Sequence, residues 1–359
     1  MNGLRLWALA SKEATQLVRD RATLGMLLGV PTLQLLLFGF AIELTPRTLP
    51  VTVVATSPAA HALVRLALDA AAVKARVDEQ QSLTVARESM MRGEALVVVD
   101  ADRQPVRVEI DGTNPVLAEY AKAAVDRFAR VLADADGGFT GLANPVQVRV
   151  MFNPEARSQP FLVSGLLGLI LTMTLVMMSA LSVARERERG TLEGLMVLGV
   201  RPLELLAGKL APYFLLGLVQ GALVLGVARW AFGVSVQGSS MLLATACGLF
   251  AFANLALGFL FSSLARAQMP AMQMTFFFFL PSSLLSGFMF PFTAMPAWAQ
   301  AVGSMLPLTH FLRIVRGIAL RGVDATFVVR ELVPIAAFAV TVALGALWSC
   351  RRALRRGPS

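Results

Sequence analysis

Residues 161–183 read Phe161-Leu-Val-Ser-Gly-Leu-Leu-Gly-Leu-Ile-Leu-Thr-Met-Thr-Leu-Val-Met-Met-Ser-Ala-Leu-Ser-Val183. The chain then turns abruptly polar: Ala184-Arg-Glu-Arg-Glu-Arg-Gly-Thr-Leu-Glu-Gly-Leu-Met-Val-Leu-Gly-Val-Arg-Pro202. The first run is long enough to cross about 30 Å of hydrocarbon and carries no charge. Five more apolar stretches of similar length lie at about 22–44, 206–228, 241–264, 270–292 and 332–349. Of the 359 residues 56% are hydrophobic and 15% charged, with a mean hydropathy of +0.66. A soluble domain carries about 25% charge. The expected fold is therefore a mainly α membrane protein, a six-helix transmembrane bundle. The first stretch reads as an uncleaved anchor, because its leader is too long for a signal peptide and no small-x-small site follows it.

The net charge of +9 does not point to nucleic acid. Residues 46–158 hold 13 basic and 14 acidic side chains, leaving 19 basic against 9 acidic groups beside the apolar segments. Arg5, Lys12, Arg19 and Arg21 precede the first span. Arg185, Arg187, Arg189, Arg201 and Lys209 lie between the second and third, and Arg266 between the fourth and fifth. Arg351, Arg352, Arg355 and Arg356 follow the sixth. With six alternating spans all of these fall on one side, so both termini are expected in the cytoplasm. Arg313, Arg316, Arg321 and Arg330 then lie on the opposite side and sit awkwardly with that count. Membrane lipid is the expected surroundings.

The organisation follows. Residues 1–21 have helical spacing of Trp7, Ala10, Ala14 and Leu17, with Arg5, Lys12 and Arg19 on another face, which suits an interfacial helix. A cytoplasmic extension of the first span, 22–44, is the alternative. Residues 45–160 read as an inserted extracytoplasmic α/β domain. Leu49–Ala55 and Ala95–Val99 have the composition of buried strands, Val106, Val108 and Ile110 alternate, and Val116–Leu132 has helical spacing. Residues 161–359 hold spans two to six.

In the polar loop, Gly190 permits a tight turn, Thr191 can cap a helix and Glu193 suits its first turn. Leu192, Leu195, Met196 and Gly199 share a face. With the alternating charges Arg185, Glu186 and Glu188, a short amphipathic helix over about 190–199 suits docking into a partner's groove. A solvated loop with a helix lying on the membrane fits the same residues. Beyond Gly287, which belongs to the same segment, Pro291 and Pro296 break the fifth span near its outer end, Trp298 suits the interface, and a helix from Leu308 to Leu320 presents Phe311, Ile314, Val315 and Ile318. Together, residues of about 291–322, including Pro307, Arg316 and Gly317, read as a re-entrant hairpin. Polar residues inside spans are the pathway candidates: Gln34, Thr172 with Thr174, Gln220, Asn254 and Gln273. Interhelical hydrogen bonding is their alternative role.

Several classes are excluded. Cys247 and Cys350 form no disulfide framework, His61 and His310 form no metal set, and no metal or catalytic residue is expected. Gly208-Lys209-Leu210 lacks the first glycine and the hydroxyl of a phosphate-binding loop, so the chain binds no nucleotide of its own. An intramembrane serine protease would need a membrane histidine.

These motifs in combination resemble ABC-2-type permeases, the membrane subunits of ATP-binding-cassette exporters. They are Glu188-Arg-Gly-Thr-Leu-Glu193, Gly208-Lys209 with Pro212-Tyr213, Ser286-Gly-x-x-x-Pro291, Met295-Pro296 and Arg316-Gly-x-x-Leu-x-Gly322. Gly93-Glu-Ala-Leu-Val-Val-Val-Asp100 and Asp111-Gly-Thr-Asn114 resemble the subgroup with a large extracytoplasmic domain. Gly199 departs from the proline of many relatives. The resemblance implies a type V exporter fold, a connecting helix at the N-terminus and a coupling helix over 190–199. It implies a second permease subunit, identical or not, a separate ATP-binding subunit carrying ATP and Mg, and a periplasmic adaptor. It further implies outward movement of an amphipathic drug-like or lipid-like substrate across a bacterial inner membrane. Export of an envelope lipid or polymer precursor is the alternative.

Overall fold

The computed structural model describes residues 49–355 apart from 72, 74, 81, 136–145, 156–158, 189–201, 234–235 and 266. The interfacial helix over 1–21, the first span over 22–44 with Gln34, and the docking helix over 190–199 lie outside the described residues.

The N-terminal part of the described chain is a five-stranded sheet. β1 (Leu49–Val54) leads into α1 (Pro58–Ala70), whose start is fixed by Ser57: its Oγ accepts from the Ala60 amide at 3.1 Å, and Pro58 follows at the first helical position. β2 (Ala75–Gln80), α2 (Leu83–Met91), β3 (Val97–Asp100), β4 (Val106–Asp111), α3 (Pro115–Ala135) and β5 (Val146–Met151) complete it. The order is β2-β1-β3-β4-β5, and only β3 and β4 run antiparallel. Strand alternation divides the two faces. Val51, Val53, Val97, Val99, Val108 and Ile110 pack under α1 and α3, while Val54 and Val98 face Ala86 and Met90 of α2. Glu109 lies on the α2 face and is buried. Arg87 of α2 grips it bidentately, with Nε donating to Oε2 at 2.8 Å and Nη2 to Oε1. Those bonds hold the Glu109 carboxyl below the usual carboxylate range against the opposing pull of burial.

The rest is helical: α4 (Gln159–Glu188), α5 (Pro202–Phe232), α6 (Ser240–Leu264), α7 (Gln268–Leu285), α8 (Ala297–Gly303), α9 (Pro307–Arg316) and α10 (Ala325–Arg355). Among the described residues, four helical stretches are long and apolar enough to cross a membrane: Gln159–Glu186, Leu210–Ala231, Ser240–Leu264 and Ala325–Ser349. This is a mainly helical membrane protein. The stretch expected to span 270–292 ends as a helix at Leu285, so the chain breaks well before Pro291. The cause is Gly287, whose φ of +82° reverses the backbone at no steric cost. Pro291 and Pro296 act afterwards, flanking a 3₁₀ turn (Phe292–Ala294) and opening α8. The helix expected over 308–320 stops at Arg316 and continues as a π turn, Gly317–Arg321, closed by Gly322 at φ +65°.

α6 is the axis of this assembly. Two-thirds of its apolar stretch is buried, against 17% for α5. It meets α4 closely because Gly258 lacks a side chain: a Cβ there would lie 2.4 Å from the Val176 carbonyl oxygen. Ser179 Oγ donates to the Leu255 carbonyl at 2.7 Å across the same contact. Leu167, Leu171 and Leu175 form a ridge on α4 against Phe250 of α6 and Phe311 of α9, whose rings stack with centroids 4.0 Å apart. α5 turns Leu215, Val219, Leu223, Val227 and Trp230 outward, the composition of a surface that meets lipid or another apolar partner.

Candidate functional site

Among the described residues, Arg321 ties the sheet to the segment of α9 and its π turn. Arg321, on the π turn, reaches the end of β4: Nη2 donates to Asp111 Oδ2 at 2.7 Å and Nε to Thr113 Oγ1 at 3.2 Å. Asp111 is shared, since its Oδ1 accepts from the Thr113 amide at 2.8 Å. Both partners of the ion pair are largely buried, at 15% and 4% side-chain exposure. Gly93, at the end of α2, lies flat against the guanidinium; a Cβ there would come 2.7 Å from Nη1. Three of the motifs quoted above, Gly93–Asp100, Asp111–Asn114 and Arg316–Gly322, therefore meet at a single joint. Arg330 of α10 adds an exposed contact to Glu94 at 3.8 Å.

A second network locks the hairpin onto α10. His310 of α9 is buried, with Nδ1 2.6 Å from Glu331 Oε2 and Nε2 2.7 Å from the Ser304 carbonyl oxygen. The two ring nitrogens thus face partners on opposite sides, which fixes the plane of the imidazole. Arg313 approaches Glu331 at 3.6 Å and lies over the Phe292 ring. Of the four arginines that sat awkwardly with the span count, Arg313, Arg321 and Arg330 thus face carboxylates. A count of basic residues takes no notice of such pairing.

The remaining expected residues are placed as follows. Arg185 Nε donates to Gln268 Oε1 at 3.5 Å. Glu188 accepts from the Gln268 amide at 3.2 Å and its side-chain amide at 2.9 Å, so it caps the start of α7 from a neighbouring helix. Glu186 is half-buried, while Gly190, Thr191, Leu192, Glu193, Leu195 and Met196 lie outside the described residues. Thr172 donates to the Gly168 carbonyl and Asn254 to the Phe250 carbonyl, each within its own helix. Gln220 reaches across to Thr174 Oγ1 at 3.2 Å. Oxygens of Gln220, Asn254 and Gln273 are buried without a hydrogen-bond partner among the described residues. Among the described residues, Gln220 and Thr174 are the pair from this set that a hydrogen bond joins across two helices. Trp298 is half-exposed and Pro307 opens α9. Gly317 packs closely on Val323 and Phe327.

Sequence reasoning missed Arg321 as a site residue, along with Glu331. Asp111 and Thr113 were visible only as a turn motif. The available signal was the coincidence of a polar cluster after β4 with an excess of arginine some 210 positions later. Among the described residues no group of three His, Cys, Asp or Glu side chains is placed to hold a metal ion. The arrangement fastens the end of β4 to the π turn.

The family of ABC-2 transporter proteins matches residues 21–348. The chain is 31% identical over 97% of both chains to a protein of Escherichia coli (strain K12) named probable multidrug ABC transporter permease YbhS. It is 28% identical to another from that strain named probable multidrug ABC transporter permease YbhR, over 97% of this chain and 98% of that one. ABC transporter G family member 20 of Dictyostelium discoideum is 24% identical over 88% of this chain and 46% of its own length. No solved structure matches the chain. A family match across nearly the whole sequence, together with a relative above 30% identity end to end, makes this chain a member of the ABC-2 family of transporter permeases.

Proposed function

We propose that this permease is the membrane half of an exporter for amphipathic drug-like or lipid-like molecules. Two permease subunits form the outward path between them, with six spans each. A separate ATP-binding subunit supplies the energy, holding ATP and Mg, and docks against the helix over residues 190–199. Both termini lie in the cytoplasm of a bacterial cell and the sheet lies outside, where a periplasmic adaptor meets it. The observation that carries this reading is the end-to-end similarity to relatives named as multidrug permeases, in a chain whose one Gly-Lys pair lacks the rest of a phosphate loop. The joint at Arg321 supports it physically. In this reading a substrate leaves past the π-turn segment, which a buried ion pair ties to the sheet.

The test has two arms. Single cysteines at Ser57 and Thr191, without Cys247 and Cys350, are treated with an impermeant thiol reagent on intact cells. Labelling at position 57 alone is expected; labelling at 191 alone reverses the topology. Inside-out vesicles loaded with the complex should accumulate a fluorescent amphiphile only with ATP. Accumulation in right-side-out vesicles instead would make the protein an importer.

A further inference from the structure

A groove of about 450 Å³ opens among α4, α5 and α6 at the end of the bundle that carries the sheet. That volume lies within the range of small-molecule sites, about 300–1,000 Å³. Its walls are apolar, with Leu218, Leu225, Leu243 and Val315 prominent, and its width comes from missing side chains. A Cβ on Gly226 would meet nothing within 4 Å, and one on Gly221 would just touch Leu171 at 4.0 Å. A second chamber of about 400 Å³, lined by Phe152, Gln237 and Arg321, shares Pro160 and Ala319 with the groove.

The charge around this groove is one-sided. Arg229 stands at its rim, exposed, and no carboxylate pairs with it among the described residues. Arg316 stands behind the wall. Its Nε donates to Ser164 Oγ at 3.4 Å, and Ser164 lines the groove. Its Nη1 donates to the Gly287 carbonyl at 3.0 Å, and its guanidinium lies 3.9 Å above the Phe161 ring. Its Nη2 is buried with no partner, and no carboxylate pairs with it among the described residues. Arg321 is compensated by Asp111, but Arg316 and Arg229 are not. A cation held out of water without a counter-ion is expensive, and inside a membrane protein such a group marks a ligand or a path.

We propose that this groove binds an anionic membrane lipid, with one acyl chain along Gly221, Gly226 and Leu243 and the phosphate held by Arg229 at the rim. The apolar walls exclude a free anion, and the uncompensated Arg229 at the rim, with the positive charge of Arg316 behind the wall, selects a negative head group over a neutral one. The inference rests on the permease reading only for the placement of the bundle in a bilayer, and its test uses neither ATP hydrolysis nor transport.

The experiment uses the full chain in nanodiscs, with phosphatidylglycerol carrying a photoreactive acyl chain, beside diacylglycerol carrying the same chain. Phosphatidylglycerol should label residues 218–229 and 240–247 saturably, and diacylglycerol should not. Arg229→Gln should cut that labelling about tenfold, the loss of one charged hydrogen bond. Gly226→Leu fills open space and should block labelling of the groove while leaving that of the outward face at Leu215 and Val219 unchanged. Arg229 is exposed, so its variant is expected to fold. Equal labelling by the two lipids, unchanged labelling in Arg229→Gln, or groove labelling that survives Gly226→Leu would each overturn the proposal. So would a photoadduct-free groove that crosslinks instead to a second copy of the chain.

Discussion

Replacing Arg321 by Met removes both bonds that tie the hairpin to the sheet and leaves Asp111 without its counter-ion. Asp111 keeps the Thr113 amide at 2.8 Å but stays 4% exposed, so its charge cannot be rehydrated without opening the joint. Breaking a buried pair from one side costs about 3–5 kcal/mol, which is a factor of roughly a hundred or more in the opening equilibrium. Asp111→Asn should cost a similar amount from the other side, whereas the double variant Arg321→Met/Asp111→Asn removes both charges and should recover most of the loss. The readout is amide hydrogen exchange of the full chain in nanodiscs, followed at Val108–Gly112 and Gly317–Val323. Exchange in both segments should rise about a hundredfold in each single variant and return toward the wild-type rate in the double. Exchange within threefold of wild type in the single variants, or a double variant equal to the sum of the singles, would refute the idea that this pair fastens the two parts together.

Two further outcomes follow from the packing. The Glu109 carboxyl is held below its ordinary range by Arg87, so the stability it contributes is complete above the unfolded value of about 4.3 and is lost as pH falls through the lower folded value. Exchange at β3 and β4 should therefore rise steeply only in acid below about pH 4, and Arg87→Met, which leaves a buried carboxylate unpaired, should raise it by about 3 kcal/mol in free-energy terms already at pH 7. Gly258→Ala places a methyl group 2.4 Å from the Val176 carbonyl and should separate α4 from α6, lowering the melting temperature in detergent by several degrees, on the order of 2 kcal/mol; unchanged melting would show that this contact has slack.

What could be read from the sequence was governed by how local each signal is. The apolar runs that became α4, α5, α6 and α10 announce themselves because hydrocarbon demands about 20 uncharged residues in succession. β1, β3 and β4 were visible because they are buried and rich in valine. β2, Ala-Arg-Val-Asp-Glu-Gln, was not: it is an edge strand with one protected side, and its charges suit an edge. The end of α7 was misplaced because prolines are conspicuous, while the reversal depends on the positive φ of Gly287. The joint was illegible for a different reason. Arg321 and Asp111 are each ordinary in their own neighbourhoods, and only the folded chain brings them to 2.7 Å. The polar residues within the spans divided according to reach. Thr172 and Asn254 are close enough to bond their own helix, whereas the longer Gln220 crosses to Thr174.

The central claim is that this permease works only through a separate ATP-binding subunit that grips residues 190–199. The most direct measurement is amphiphile-stimulated ATP hydrolysis in proteoliposomes holding the permease, its ATP-binding partner, or both, with wild type beside Gly190→Pro. Proline fixes φ near −65°, whereas the turn expected at Gly190 favours glycine; position 190 lies outside the apolar stretches, so insertion and association are expected to survive. Hydrolysis stimulated by the amphiphile is expected only when both proteins are present, and Gly190→Pro should lower it about tenfold while the complex still assembles by size exclusion. Full stimulation in Gly190→Pro, or transport by the permease alone, would contradict the claim.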